Sequence, residues 1–314
     1  MRTALDIFLL ILGFALLIQS AKVFVTASVA IARRLKIPTM VIGLTVVAMG
    51  TSAPEVVISV SAAIGGSGDL AIANVVGSNI FNLLFIVGFC ALIYPISVKM
   101  KAISRDYWAS VAATVLLLVM IMAFGDAIPR SGGLVLLLGF AAYMFVVIRA
   151  ALKSKTDDEN TEATRSRPLW QNILLAILGI AVIIGAGQLT VFSAVNIATT
   201  MGITERVIGL TIVAIGTSLP ELITTLIACR KKEGEFAVGF IIGSSIFNIA
   251  FVLGLSGLIM PLAISPGVIF DMAVLSAGTL TFFLFAKSSQ RVVRVEGLAM
   301  VMIYAGYMAW VLLV

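Results

Sequence analysis

"VIGLTVVAMGTSAPEVVIS", Val41–Ser59, is apolar enough to lie in lipid, yet Gly50, Thr51, Ser52, Pro54 and Glu55 stand at its centre. A proline removes a backbone donor and crowds the carbonyl four residues back, which here belongs to Gly50. A carboxylate inside a bilayer is costly and marks a function by default. "VIGLTIVAIGTSLPELITT", Val207–Thr225, repeats the pattern with Gly216, Thr217, Ser218, Pro220 and Glu221. Two interruptions in register need one common reason.

The surroundings are membrane-like. The 314 residues are 61% hydrophobic and 11% charged, with a mean hydropathy of +1.16. Soluble domains are about half apolar and a quarter charged. Ten apolar runs stand out, at roughly 4–34, 40–64, 69–95, 105–124, 132–152, 169–200, 206–229, 235–260, 266–287 and 295–313. Runs of about 20 residues span a bilayer as helices. The pattern predicts an all-α integral membrane protein with ten transmembrane helices and no soluble domain. Arg2 before an apolar run resembles a signal peptide, but the helical pattern continues past Lys22 to Arg34, so this segment is read as a span. Cys90 and Cys229 read as unpaired core residues. The absence of histidine excludes a His-based metal site or proton relay.

The net charge of +6 is a topology signal rather than a nucleic-acid signal. With ten spans, one side collects Arg33, Arg34, Lys36, Lys99, Lys101, Arg105, Arg149, Lys153, Lys155, Arg165, Arg167, Arg230, Lys231, Lys232, Lys287, Arg291 and Arg294, 17 in all, against Arg2, Arg130 and Arg206 on the other. Basic loops stay cytoplasmic, which predicts a cell-membrane protein with both termini extracellular.

A shift of 166 residues aligns Val41–Gly88 with Val207–Gly254 without a gap, and 22 of these 48 positions are identical. Each copy belongs to a five-span half, residues 1–152 and 169–314, joined by the polar linker 153–168. Five is odd, so the second half enters from the opposite side. The charges agree: Arg33, Arg34 and Lys36 align with Thr199, Thr200 and Gly202, and Arg230, Lys231 and Lys232 align with Ile64, Gly65 and Gly66. Inverted repeats with interrupted spans at matching places point to a secondary transporter with its site at the midplane. Asp157, Asp158 and Glu159 in the linker lack the ligand spacing of an EF-hand and read as solvated.

Thr51 and Glu55 are four residues apart and share a helix face, as do Ser78 and Asn82. Thr217 with Glu221 and Ser244 with Asn248 repeat the arrangement. Gathered at one point they give carboxylates, hydroxyls and amide oxygens, and no thiolate or imidazole. Such a set suits hard cations such as Ca²⁺, or Na⁺ of similar size, and disfavours zinc or copper. Gly77 and Gly243 read as packing residues. Asp69 and Glu235 read as helix N-terminal charges, and Asp6 and Asp271 are given no role.

"GTSAPE" and "GTSLPE", followed by "GSNIFN" and "GSSIFN", resemble the paired alpha repeats of the cation/calcium antiporter superfamily, closest to prokaryotic sodium/calcium exchangers. The resemblance covers the whole chain. It implies exchange of several Na⁺ for one Ca²⁺ through four central ion sites, the ions being substrates and no cofactor or obligate protein partner being needed. By position, Glu55, Glu221, Thr51 and Thr217 would hold calcium. Ser52, Ser78, Ser218, Ser244 and the carbonyls of Ala48 and Ala214 would hold sodium, with Asn82 and Asn248 flanking the middle. Some members carry aspartate where Asn248 stands, so the middle site here is less acidic. The resemblance also implies that the long first and sixth spans slide across the core to switch access.

Three other readings compete. A proton/calcium exchanger of the same fold typically has Gly-Asn before the acid, where this chain has Gly50-Thr51-Ser52. An intramembrane aspartyl protease needs two aspartates, which the repeats lack. A passive channel needs no inverted repeat.

Overall fold

The structure, a computed structural model, describes residues 2–313 apart from 36, 38, 99, 154–166, 202–213 and 266. Among the described residues, eight helices are long and apolar enough to cross a membrane. A ninth span is the pair Met40–Thr51 and Ala53–Ile64, bent by 49°. These nine match nine of the ten apolar runs. The remaining one, 206–229, starts outside the described residues and continues as Ala214–Thr217 and Leu219–Arg230. Most of the linker 153–168, with Lys155 and Arg165, also lies outside them, as do Lys36, Lys99 and Arg206.

Two spans are longer than a bilayer requires. Arg2–Arg34 has 33 residues and Leu169–Thr200 has 32, so each is about 50 Å long against a hydrocarbon core of about 30 Å. They pack along one another through small residues. A Cβ at Gly13 would stand 2.4 Å from Thr190 Oγ1, and one at Gly179 would stand 3.0 Å from Phe24 Cβ. Near one end of this pair Asn196 Nδ2 donates to Asp6 Oδ1 at 3.1 Å. At the other end Arg33 pairs with Glu233 at 2.9 Å, and Lys231 Nζ donates to the Lys22 carbonyl at 3.2 Å. Asp6, given no role from sequence, therefore ties the long helices together.

The core is built on Gly68–Ile93 and Gly234–Ile259, the two most deeply buried long spans. Neither is a continuous α-helix. Each changes to π-helical winding in its middle, over Phe81–Ile86 and Phe247–Leu253, and a third π-helical stretch covers Gly43–Val47. Phe81 stacks on Phe85 at 4.9 Å and Phe247 on Phe251 at 4.7 Å, which lines both π segments with aromatic rings. Gly243 lets the Met40–Thr51 helix lie directly on Gly234–Ile246: a Cβ there would stand 2.3 Å from the Leu44 carbonyl oxygen. This fits the packing role read for Gly243, whereas a Cβ at Gly77 would meet nothing within 4 Å, so close packing does not account for that glycine.

The expectation of a purely helical chain needs one amendment. Extended residues in the connections pair as two-residue antiparallel strands, Ile96–Ser97 with Arg291–Val292 and Ala127–Ile128 with Leu262–Ala263. Pairing satisfies backbone groups where two connections meet at a helix end. Cys90 and Cys229 are buried free thiols. Asp271 accepts a hydrogen bond from Tyr307 at 2.9 Å, and the buried Asp106 accepts one from Tyr143 at 3.2 Å beside Arg105. These acids clamp neighbouring helices.

Candidate functional site

The interruption in Val41–Ser59 falls on Ser52. Its φ of −80° and ψ of 12° end the helix Ala48–Thr51 and open Ala53–Ile64. Ser218, with φ −92° and ψ 8°, opens Leu219–Arg230 in the same way. This corrects the role given to proline. Pro54 and Pro220 sit in the first turn of the second helix, where the missing N–H has no partner to lose. Gly50 is likewise a matter of packing, not bending: a Cβ on it would overlap Ile180 Cδ1, and one on Gly216 would stand 2.3 Å from Val191 Cγ2.

Glu55 and Glu221 follow one turn later, both with 0% exposure. Ser52 Oγ donates to Glu221 Oε1 at 3.2 Å, and Ser218 Oγ donates to Glu55 Oε1 at 3.3 Å. The second oxygen of each acid, Glu55 Oε2 and Glu221 Oε2, is buried without a hydrogen-bond partner. Among the described residues four other buried oxygens share that condition, the hydroxyls of Thr224 and Ser256 and the amide oxygens Asn82 Oδ1 and Asn248 Oδ1. The two carboxylate and two amide oxygens accept, and none of them can donate when the acids are ionised.

With Glu221 ionised, the direction of the hydrogen bonds around them is forced. Ser52 gives its one proton to the Glu221 carboxylate. Ser244 Oγ, 2.9 Å from Ser52 Oγ, must therefore be the donor of that pair. Asn82 Nδ2 donates in turn to Ser244 Oγ at 3.4 Å. The chain Asn82, Ser244, Ser52, Glu221 runs one way and leaves the Asn82 carbonyl oxygen free. Buried acceptors without donors cost about 1–3 kcal/mol each, and a cation satisfies several at once.

The other sequence-derived residues fall around this centre. Thr51 is fully buried and donates to the Val47 carbonyl at 3.1 Å, so a lone pair is what it can offer an ion. Thr217 is buried at the matching place. Ser78 is buried on Gly68–Ile80, one turn before Asn82. The Ala48 carbonyl accepts the Ser52 amide at 3.1 Å and the Thr51 hydroxyl at 3.4 Å. Ala214 is the first described residue of its span, in the helical stretch Ala214–Thr217. Asp69 and Glu235 lie in the first turns of their helices, as expected of charges that meet a positive helix end. No third acid, histidine or cysteine joins Glu55 and Glu221 among the described residues. Sequence reasoning missed Asn79, which bonds both Ser245 and Asn248. It also missed Asn74, which donates to the buried Ser59 at 3.0 Å, one turn beyond Glu55. The asymmetry between Asn79 and its counterpart Ser245 was the available signal.

Bent and π-wound membrane helices that bury two carboxylates with unfilled oxygens define a membrane cation transporter. The chain belongs to the sodium/calcium exchanger protein family, whose profile matches residues 5–149 and 171–313. It is 40% identical over 310 residues to CaxA of Alkalimonas amylolytica, covering 96% of both chains. It is 37% identical over 274 residues to the inner membrane protein YrbG of Escherichia coli, covering 82% of this chain and 81% of that one. Sodium/calcium exchanger MaX1 of Methanosarcina acetivorans is 31% identical over 339 aligned residues and 96% of each chain. Among solved structures, the sodium–calcium exchanger NCX_Mj soaked with 10 mM Na⁺ and 10 mM Sr²⁺ superposes with a TM-score of 0.86 at 31% identity, over 98% of each chain. The chain is thus an antiporter of the cation/Ca²⁺ kind with several transmembrane helices, not a member of an enzyme family.

Proposed function

We propose that this protein exchanges Na⁺ for Ca²⁺ by alternating access, three Na⁺ per Ca²⁺, through two inverted five-helix halves. The observation that carries the reading is the pair Glu55 and Glu221. Each is buried, each is held by a serine from the opposite half, and each keeps one oxygen unpartnered. A charge of −2 among neutral oxygens matches a divalent cation, and Ca²⁺ takes about six to eight oxygens in flexible geometry. Glu55, Glu221, Thr51 and Thr217 are assigned to calcium. Ser52, Ser78, Ser218, Ser244 and the Ala48 and Ala214 carbonyls are assigned to sodium, with Asn82 and Asn248 at the middle.

The division into halves 1–152 and 169–314, of opposite orientation, rests on reciprocal contacts. The offset of 166 converts Gly13·Thr190 into Gly179·Phe24, and Ser52·Glu221 into Ser218·Glu55. Each two-residue strand likewise pairs across the halves. The distribution of basic residues supports both termini lying outside the cell. The sodium/calcium exchangers among the relatives support Na⁺ as counter-ion.

Uptake of ⁴⁵Ca²⁺ into proteoliposomes tests this reading. A Na⁺ gradient, internal Na⁺ high, should drive accumulation, and a pH gradient without Na⁺ should not. Accumulation driven by pH alone would instead make the protein a proton/calcium exchanger.

A further inference from the structure

Asn79 is fully buried and stands outside the ligand set proposed above. Its Nδ2 donates to the backbone carbonyl of Ser245 at 3.2 Å, and its Oδ1 accepts from Asn248 Nδ2 at 3.2 Å. A backbone carbonyl can only accept. That fixes which end of the Asn79 amide faces Ser245, which fixes its oxygen toward Asn248. Asn248 must then present its NH₂ to Asn79, and its own carbonyl oxygen is left over. That oxygen is one of the buried acceptors without a partner. The bonding pattern therefore sets both amide orientations without appeal to the near-identical shapes of oxygen and nitrogen.

We propose that Asn79 is a positioning residue: it aims the Asn248 carbonyl oxygen, rather than the NH₂, at the transported cation. The inference rests on the cation-site reading above. Without Asn79 the Asn248 amide is free to turn, and an N–H group repels a cation that the oxygen would bind. The matching position in the second half is Ser245, whose hydroxyl donates to the Ile241 carbonyl of its own helix at 3.0 Å and, among the described residues, makes no comparable bond across to the first half. On that side, Asn82 is oriented through Ser244 and Ser52 by the Glu221 carboxylate. The two middle amides are thus aimed by different devices, one anchored on a charge and one on the backbone. Packing alone does not require the Asn79 amide, since the residue borders a small cavity shared with Ser110, Thr114 and Ser245.

The test is a two-by-two cycle on the purified full chain, scored by equilibrium ⁴⁵Ca²⁺ binding, with Na⁺-driven transport measured in parallel. Asn79→Ser copies the second half. It should weaken Ca²⁺ binding about tenfold, the loss of one well-aimed oxygen, while maximal transport at saturating Ca²⁺ changes less than about twofold. A carboxylate shows an oxygen to the ion whichever way it turns, so in the Asn248→Asp background the same Asn79→Ser change should have no effect on Ca²⁺ affinity. Asn79→Ala takes the place of Asn79→Ser if the serine variant does not purify as a monodisperse protein. An unchanged affinity in Asn79→Ser, or an equal loss in both backgrounds, overturns the positioning role and leaves the exchanger reading standing. A parent chain that binds no Ca²⁺ overturns both, whereas a parent that binds Ca²⁺ without Na⁺-driven transport overturns the exchanger reading alone.

Discussion

Ser52 donates a hydrogen bond to Glu221 across 3.2 Å, from the first half of the chain to the second. Ser218 returns the same bond to Glu55 at 3.3 Å. Each acid is therefore held by the helix break of the other half. Any motion that separates the halves would disturb both carboxylates together.

The first expectation concerns the acids. Glu55→Gln and Glu221→Gln keep side-chain shape but halve the site's charge, and a divalent ion in a buried site depends on both charges. Each variant should lose at least about a hundredfold in ⁴⁵Ca²⁺ exchange, equivalent to roughly 3 kcal/mol, while eluting as a monodisperse protein in gel filtration. Exchange near the parent rate in either variant would remove the pair from the ion site.

The hydroxyls should separate by role. Ser244 links Asn82 to Ser52 and, through it, to Glu221. Ser78 lies on the other core span. Ser78→Ala and Ser244→Ala should both raise the Na⁺ concentration for half-maximal exchange more than that for Ca²⁺. Ser244→Ala should show the larger effect, because it also frees the Asn82 amide. Na⁺ and Ca²⁺ activation curves measure this, and curves in which only Ca²⁺ affinity moves would reverse the assignment of sites.

Close packing gives an expectation independent of ions. An added methyl at Gly243 meets the backbone of Leu44 at 2.3 Å, which cannot rotate away. Overpacking of this kind costs about 1–3 kcal/mol, so Gly243→Ala should lower the thermal midpoint in detergent. At Gly50 the methyl meets the tip of Ile180, a flexible group on a long helix. Gly50→Ala should leave stability nearly intact, and Ile180→Ala should recover any transport it loses. A thermal midpoint unchanged by Gly243→Ala would show that the two helices can part without cost.

Glu55 and Glu221 were legible in the sequence because ionisable groups stand out in an apolar run and because the repeat presents each of them twice. The repeat also located Ser52, Ser218, Asn82 and Asn248. It misled on Pro54 and Gly50: both helix breaking and helix starting place a proline near a bend, and only the backbone at Ser52 tells them apart. The π-helical turns around Asn82 and Asn248 were hidden because one extra residue per turn leaves no mark in an all-apolar, fully buried stretch. Asn79 was hidden for the opposite reason. Attention to identical positions passes over a place where the halves differ, and that difference makes the contact with Asn248 one-sided.

The last expectation is that transport carries charge. With Glu55 and Glu221 ionised, one bound Ca²⁺ makes the site neutral, and two Na⁺ would do the same, giving exchange indifferent to voltage. The oxygen set offers more than two places for Na⁺, however. Ser52 lies 2.9 Å from Ser244, and the offset of 166 makes Ser218 with Ser78 the matching pair, so these two pairs supply outer hydroxyl sites on either side of the acids, while the middle carries the neutral amides of Asn82 and Asn248 in place of any further carboxylate. Three Na⁺ then occupy the two outer sites and the central one, and the sodium-loaded site bears one positive charge. Moving that charge through 100 mV is worth about 2.3 kcal/mol, enough to change the rate visibly. In vesicles loaded with Na⁺, each cycle exports three positive charges and imports two. A potassium-diffusion potential, negative inside, should therefore slow Ca²⁺ uptake, and one positive inside should speed it. Equal rates at clamped potentials of either sign would replace three-for-one exchange with two-for-one.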